Sequence, residues 1–168
     1  MERSELQALQ APLKEQYRAE PASAIVTLRA EGILGSEGVS CSVDTGRALV
    51  EAGLHPATGG TGIQACSGDM LLEALVACAG VTLRAVATSL EIPVSGTVRA
   101  EGDLDFRGTL GVDREAPVGF AAIRLRFELT SGEPPEALDK LIELTERYCV
   151  VFQTLAGGVP VELTYSTS

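Results

Sequence analysis

No proline interrupts residues 67 to 92, and the run from Ser67 to Gly80 is rich in Leu and Ala, so this part of the chain forms one long helix. It is apolar on nearly every face and must therefore be covered on all sides. One small sheet cannot do that. The constraint predicts an α+β protein in which antiparallel sheets wrap a long central buried helix, assembled as an intertwined homodimer that shares its core. Residues 70 to 92 approach the length of a membrane span, but Glu73 and Arg84 would each cost ~2.5–3.5 kcal/mol near a bilayer centre. A helix inside a water-soluble core is the lower-energy reading.

The flanking segments supply the sheets. Ala24 to Ala30 is rich in β-branched residues and precedes a Gly-rich turn at Gly35 to Gly38, and Val39 to Val43 answers it as a hairpin partner. Gly46 turns the chain into a third strand, Arg47 to Val50. The segment from Leu54 to Gly62 is too rich in glycine for regular structure and reads as a loop feeding the central helix. Val94 to Gly102 and Phe120 to Leu129 alternate as strands, with residues 108 to 117 as their connection. Pro134 to Cys149 is an amphipathic helix, and Val159 to Tyr165 closes the domain as a last strand. In front of all this, Leu6, Leu9 and Leu13 mark a short helix that Pro12 breaks, suited to packing on a partner subunit. The domain reading is a helical extension at 1–22 followed by one domain at 23–168, a size that buries a core without staples.

Charge excludes some functions. The formal net charge of −10 repels phosphate backbones, and with no tryptophan, four Phe and three Tyr there is no stacking platform, so nucleic acid is not an expected partner. A membrane is not expected either. The charged amino-terminal residues lack the pattern of a secretory signal, which points to the cytoplasm, where thiols stay reduced unless they work. Cysteines fall at 41, 66, 78 and 149, without the spacing of a zinc ribbon.

Two of these thiols carry the functional argument. Stepping from Cys78 by three, four and seven residues meets Leu71, Ala74, Leu75, Thr82 and Ala85, an apolar face. On the amphipathic helix Leu138, Leu141, Ile142, Thr145 and Cys149 align, so both thiols point towards a core. Cys41 reads as a core residue of its strand. Cys66, just before the helix, is either an ordinary packed thiol or a spare redox or regulatory one, because a helix N-terminus favours thiolate. His55, the only histidine, is either an ordinary loop residue or a ligand or base. Asp69 favours the helix dipole from the first turn whatever else it does. Gly59 to Gly62 lacks the preceding strand and the Lys of a phosphate loop.

Met70-Leu71-Leu72-Glu73-Ala74-Leu75-Val76-Ala77-Cys78 resembles the central-helix signature of the OsmC/Ohr family of thiol-dependent peroxide reductases. Cys149-Val150-Val151-Phe152-Gln153-Thr154-Leu155 is similar to that family's second-cysteine segment, with Val150 where a Pro is usual and Phe152 where a small or polar residue is usual. The order of strands and helices over residues 23 to 166 fits as well. The resemblance implies an OsmC-like fold, with Cys78 as the peroxidatic thiol and Cys149 as the resolving one. The family's acidic residue, nine or ten positions before the first cysteine, corresponds to Asp69 or Gly68. That carboxylate pairs with an arginine that activates the thiol, for which Arg47 is the first choice and Arg29 the second; Arg84, six positions past Cys78, faces away.

Peroxide cleavage needs a thiolate, and a free Cys with pKa near ~8.5 is mostly protonated at neutral pH. Burial raises that value further, so a positive charge or donor must oppose it. Apolar residues around the thiols, Met70, Leu71, Phe152 and Leu155, favour an organic hydroperoxide over hydrogen peroxide, and an external dithiol must reduce the disulfide. No cofactor or resident metal is expected. The competing readings are an OsmC-like dimer that binds an apolar small molecule at its interface without turnover, and a metal site built from His55, Cys66, Cys78 and Cys149.

Overall fold

The computed structural model describes residues 2–20, 23, 31–34, 40–44, 49–111 and 113–167. In chain order its elements are α1 (Arg3–Ala19), β1 (Glu31–Leu34), β2 (Ser40–Asp44), β3 (Leu49–Gly53), β4 (Ala65–Cys66), α2 (Ser67–Leu90), β5 (Ser95–Leu104), α3 (Phe106–Thr109), β6 (Phe120–Thr130), α4 (Pro135–Tyr148) and α5 (Val150–Gly157). The architecture is α+β, with a four-stranded sheet in the order β1-β2-β3-β4 and a two-stranded sheet of β5 and β6.

The central helix forms as its composition predicts. Leu75, Ala79, Leu83 and Ala87, four residues apart, are its buried stripe. Two of the four are alanines, which let a neighbouring backbone approach. Leu83 and Ala87 join Val94 and Leu141 in the core, and Val86, Ile92, Phe127, Leu129, Leu138 and Ile142 pack around them. Helix α2 is apolar and long enough to cross a membrane by length and composition, but in this fold α4, α5 and β5 pack against it. It ends at Glu91, whose left-handed backbone (φ 58°) caps the helix and whose carboxylate takes Arg3 of α1 at 2.6 Å.

β5 and β6 run antiparallel from Ser95↔Thr130 to Leu104↔Phe120. Their alternation is the predicted one. The apolar residues Val98, Ala100, Leu104, Ile123, Leu125, Phe127 and Leu129 face inwards, and the charged residues between them stand exposed. Arg124 with Asp103, and Arg99 with Glu128, pair across the outer face. Gly96 is required where it stands, because its φ is 142° and a Cβ there would lie 2.0 Å from the Glu128 carbonyl oxygen.

Several expectations are corrected. Pro12 does not break α1, which runs on through it for 17 residues and packs on the chain's own α2. A proline removes one donor, and the helix-favouring residues on both sides carry the turn past the gap. The third strand is Leu49–Gly53, later than expected, and β4 adds a short parallel pairing through Ala52↔Ala65 and Gly53↔Cys66. The connection expected at 108–117 overlaps α3, whose N-cap Asp105 accepts from the Arg107 N–H at 3.0 Å. The strand expected at Val159 to Tyr165 is absent from the described residues. The expected strand at Ala24 to Ala30 and the turn at Gly35 to Gly38 lie outside the described residues, as does Arg47. The antiparallel β1–β2 hairpin itself is present, with Glu31↔Asp44 and Leu34↔Cys41 in register.

Candidate functional site

Cys149 is the pivot. Its backbone is extended (φ −74°, ψ 106°) for this one residue, so it ends α4 and starts α5 at once. Its N–H donates to the Thr145 carbonyl at 2.9 Å, closing the last turn of α4, and its carbonyl accepts from Gln153 at 2.9 Å, opening α5. The Gln153 side chain donates to the Glu146 carbonyl at 2.9 Å and ties the two helices together. Leu141, Thr145 and Cys149 form the buried edge of this unit, as the helical spacing predicts, and the Thr145 hydroxyl donates to Leu141 at 2.7 Å. The second helix was not foreseen. Its signal was present in Val151, Phe152 and Leu155, which now form the half-buried side of α5.

The first residues of any helix have N–H groups without an intrahelical partner. In α5 these belong to Val150 and Val151, whose amides, with the Cys149 thiol and the Thr82 hydroxyl, bias the Cys78 thiol downwards. Cys78 and Cys149, 71 positions apart in the chain, are thus brought face to face. Cys78 is partly buried and Cys149 almost wholly so.

The two thiols are polarised in opposite senses. Burial pushes the Cys78 thiol up, but the donors from Val151, Cys149, Val150 and Thr82 outweigh it and hold the group below the ordinary thiol value. For Cys149, burial pushes up and the negative charge of Cys78 adds to it, against weaker opposition from the Phe152 and Val151 amides. Of the pair, Cys78 is therefore the thiol that ionises more readily and Cys149 the one that holds its proton longer. Burial alone would give the wrong sign for Cys78; an arginine was expected to oppose it, and here the opposing influences come from the start of α5, Cys149 and Thr82.

The other site residues fall in different places. Phe152 lines a cavity of about 140 Å³ beside Cys149, together with Ala79, Leu125, Phe127, Ile142, Thr145 and Glu146. Phe152 and Leu155 also line an apolar groove of about 360 Å³ with Leu75, Phe120, Ile123 and Leu125. Met70 is partly buried and Leu71 exposed, and neither lines these two cavities. Asp69 is exposed in the first turn of α2, nine residues before Cys78 and so about 14 Å away along the axis. The chain does not bring it to the thiol. Arg84 donates to the Val94 carbonyl at 2.8 Å. Arg47 and Arg29 lie outside the described residues.

At the far end of α2, His55, Cys66, Asp69, Asp103 and Phe106 line a separate cavity of about 350 Å³. His55 has a structural role there. Its Nδ1 accepts from the Ala57 N–H at 3.0 Å, and its ring stacks on Phe106 with centroids 5.0 Å apart. Cys66 belongs to this end and Cys78 to the middle of the helix, so the four residues of the metal reading do not gather. Among the described residues no three His, Cys, Asp or Glu side chains come together to hold a metal.

A long apolar helix, two sheets and two thiols that shift each other's ionisation define an α+β protein with a paired-thiol site. The chain belongs to the OsmC-like protein family, which matches residues 60–164. The fold is shared with an OsmC-like protein of Mycoplasma pneumoniae, at 18% identity and TM-score 0.65 over 79% of this chain and 89% of that one. It is shared too with an organic hydroperoxide resistance protein OsmC of Legionella pneumophila (18% identity, TM-score 0.61, 80% and 92% covered). A third is an organic hydroperoxide resistance protein of Elizabethkingia anophelis (20% identity, TM-score 0.59, 80% and 91% covered). A comparison with curated proteins found no match.

Proposed function

We propose that this chain is a cytoplasmic thiol peroxidase that reduces organic hydroperoxides through Cys78 and Cys149. The observation that carries the reading is the polarised pair, a Cys78 thiol held below its ordinary value and a Cys149 thiol pushed above it, within an OsmC-like fold. Fold relatives are described as organic hydroperoxide resistance proteins, which favours the same substrate class. The Cys78 thiolate attacks the distal peroxide oxygen, the O–O bond breaks, and the alkoxide leaves as an alcohol after taking a proton, so that Cys78 becomes a sulfenic acid. That step removes the negative charge that helped keep Cys149 protonated, while the Phe152 and Val151 amides remain. Cys149 then attacks the Cys78 sulfur, its proton leaves with the hydroxyl as water, and a disulfide forms. An external dithiol returns both thiols by exchange. The apolar walls contributed by Phe152 and Leu155 suit the organic part of the substrate. Met70 and Leu71 would reach substrate only as part of a larger assembled wall.

The test is consumption of cumene hydroperoxide with dithiothreitol. Cys78→Ser is expected to abolish turnover. Cys149→Ser is expected to consume one equivalent and stop at a sulfenic acid that dimedone traps. Equal rates in wild type and Cys78→Ser would remove the reading.

The working unit in this proposal is a homodimer, with residues 1–22 as an extension and 23–168 as the OsmC-like domain. Supporting it, α2 is rich in apolar residues and yet leaves Val81 72% exposed. Arg47 and Asp69 would contribute to the site only within that assembly. A second reading, binding of an apolar small molecule without turnover, draws on the groove of about 360 Å³. Native mass spectrometry of the purified protein separates the two: a retained ligand with both thiols inert to peroxide decides for binding alone.

A further inference from the structure

We propose that Gln153 is a positioning residue, whose side-chain amide splints the bend between α4 and α5 and so keeps the Cys149 sulfur turned onto α2 beside Cys78. The proposal rests on the reading that these two thiols work as a pair. In an unbroken α-helix the Glu146 carbonyl would take the N–H of residue 150. Here the Cys149 N–H closes α4 on the Thr145 carbonyl at 2.9 Å, and the ψ of 106° at Cys149 then turns the chain out of the helix. The next backbone bond of this segment is the one that opens α5, from the Gln153 N–H to the Cys149 carbonyl at 2.9 Å. The Glu146 carbonyl is thereby left as one of the orphan acceptors of a helix end. The Gln153 side chain takes it, donating at 2.9 Å.

That bond belongs to the bent chain alone. Seven residues along a straight helix span about 10 Å, and a glutamine amide does not reach back over that distance. Only when α5 folds away from the α4 axis do the Gln153 amide and the Glu146 carbonyl meet, so the bond favours the bend over a continuous helix. Little else in the local sequence does. The segment Tyr148, Cys149, Val150, Val151 and Phe152 has neither the proline nor the glycine that fixes most bends. The bend in turn decides where Cys149 goes. Cys149 is 1% exposed and lines the cavity of about 140 Å³ with Ala79, the residue beside Cys78 on α2, with Thr145 of α4 and with Phe152 of α5. One hydrogen bond on the exposed side of the bend thus sets the face that its buried side presents to α2.

The experiment equilibrates the full-length protein with mixtures of oxidised and reduced glutathione and measures the Cys78–Cys149 bridge by peptide mass spectrometry. As the bridge forms, the two protein thiols give up two hydrogens, and the glutathione disulfide takes them to become two glutathione thiols. Losing a hydrogen bond of ordinary strength lowers the bridging equilibrium constant about three- to tenfold, because Cys149 is then no longer held in place before the bridge closes. Gln153→Met, similar in size and without the donor, and Gln153→Glu, the same shape with acceptors only when ionised, are each expected to show that fall. Thr154→Ala, at the exposed neighbouring position, is expected to match the wild type. A hydrogen bond that merely stabilised the fold, equally in the reduced and bridged forms, would leave the equilibrium where it is. Circular dichroism confirms that each variant folds. An unmoved equilibrium in the folded Gln153 variants, an equal fall in Thr154→Ala, or a wild type that forms no such bridge overturns the proposal. Bridging by glutathione does not depend on peroxide turnover. A wild type that bridges while leaving cumene hydroperoxide unconsumed sinks the peroxidase reading, and the fall in the Gln153 variants still supports the positioning role.

Discussion

Cys78 and Cys149 each set the other's chemistry. The lowered Cys78 thiol contributes stability that is present above the unfolded thiol value and is lost as pH falls through the folded one. The raised Cys149 thiol acts in the opposite sense, its contribution being present below the unfolded value and lost as pH rises through the folded one. Replacing one thiol therefore moves the other in a known direction. Cys78→Ala is expected to lower the labelling midpoint of Cys149, because a negative neighbour disappears, and Cys149→Ala is expected to raise that of Cys78, because a donor disappears. Both are read by the rate of iodoacetamide labelling of each cysteine against pH, and a shift of either in the reverse direction would contradict the polarity described. This mutual effect was invisible in the sequence, which offered burial and an activating arginine for Cys78 but no influence of one thiol on the other.

At the scale of elements, the clamp between α2 and α4 is what brings the thiols together. Leu141 is fully buried in it, against Leu83, Ala87 and Val94. Leu141→Ala is expected to cost about 2–5 kcal/mol, measured by urea denaturation, as lost apolar contact plus the cavity left behind. Peroxide-driven disulfide formation should slow in the same variant, because Cys149 lies two turns further along that edge. The face carrying Leu138, Leu141, Ile142, Thr145 and Cys149 was legible from spacing alone, since a helix repeats its surface every few residues. The break at Cys149 was not. No proline or glycine marks it, and the restart as α5 depends on Val151, Phe152 and Leu155 finding a surface to pack on. Pro12 shows the converse, a strong local breaker overridden by its neighbours and by contact with α2.

For the whole molecule the central question is what covers the apolar surface that one chain leaves open. Beyond α5, Val161, Leu163 and Tyr165 are 88%, 87% and 87% exposed, with polar residues alternating between them. That pattern fits a strand, and among the described residues it is unpaired. In the proposed homodimer it would pair with a sheet of the second copy. Sedimentation velocity is expected to show a dimer for the wild type and a monomer, or loss of soluble protein, for Val161→Asp with Leu163→Asp. A wild-type monomer whose behaviour is unchanged by those substitutions would end the shared-core reading.

The sequence by itself determined the central helix, the inner and outer faces of β5 and β6 and the buried face of α4. Each of these is written in a local period of apolar residues. Only the tertiary structure decided that the two thiols lie close enough to shift one another in opposite directions and that Asp69 stays far from them within the chain. Those facts depend on the packing of α5 and α4 against α2, and no periodicity along a single element records how separate elements will touch.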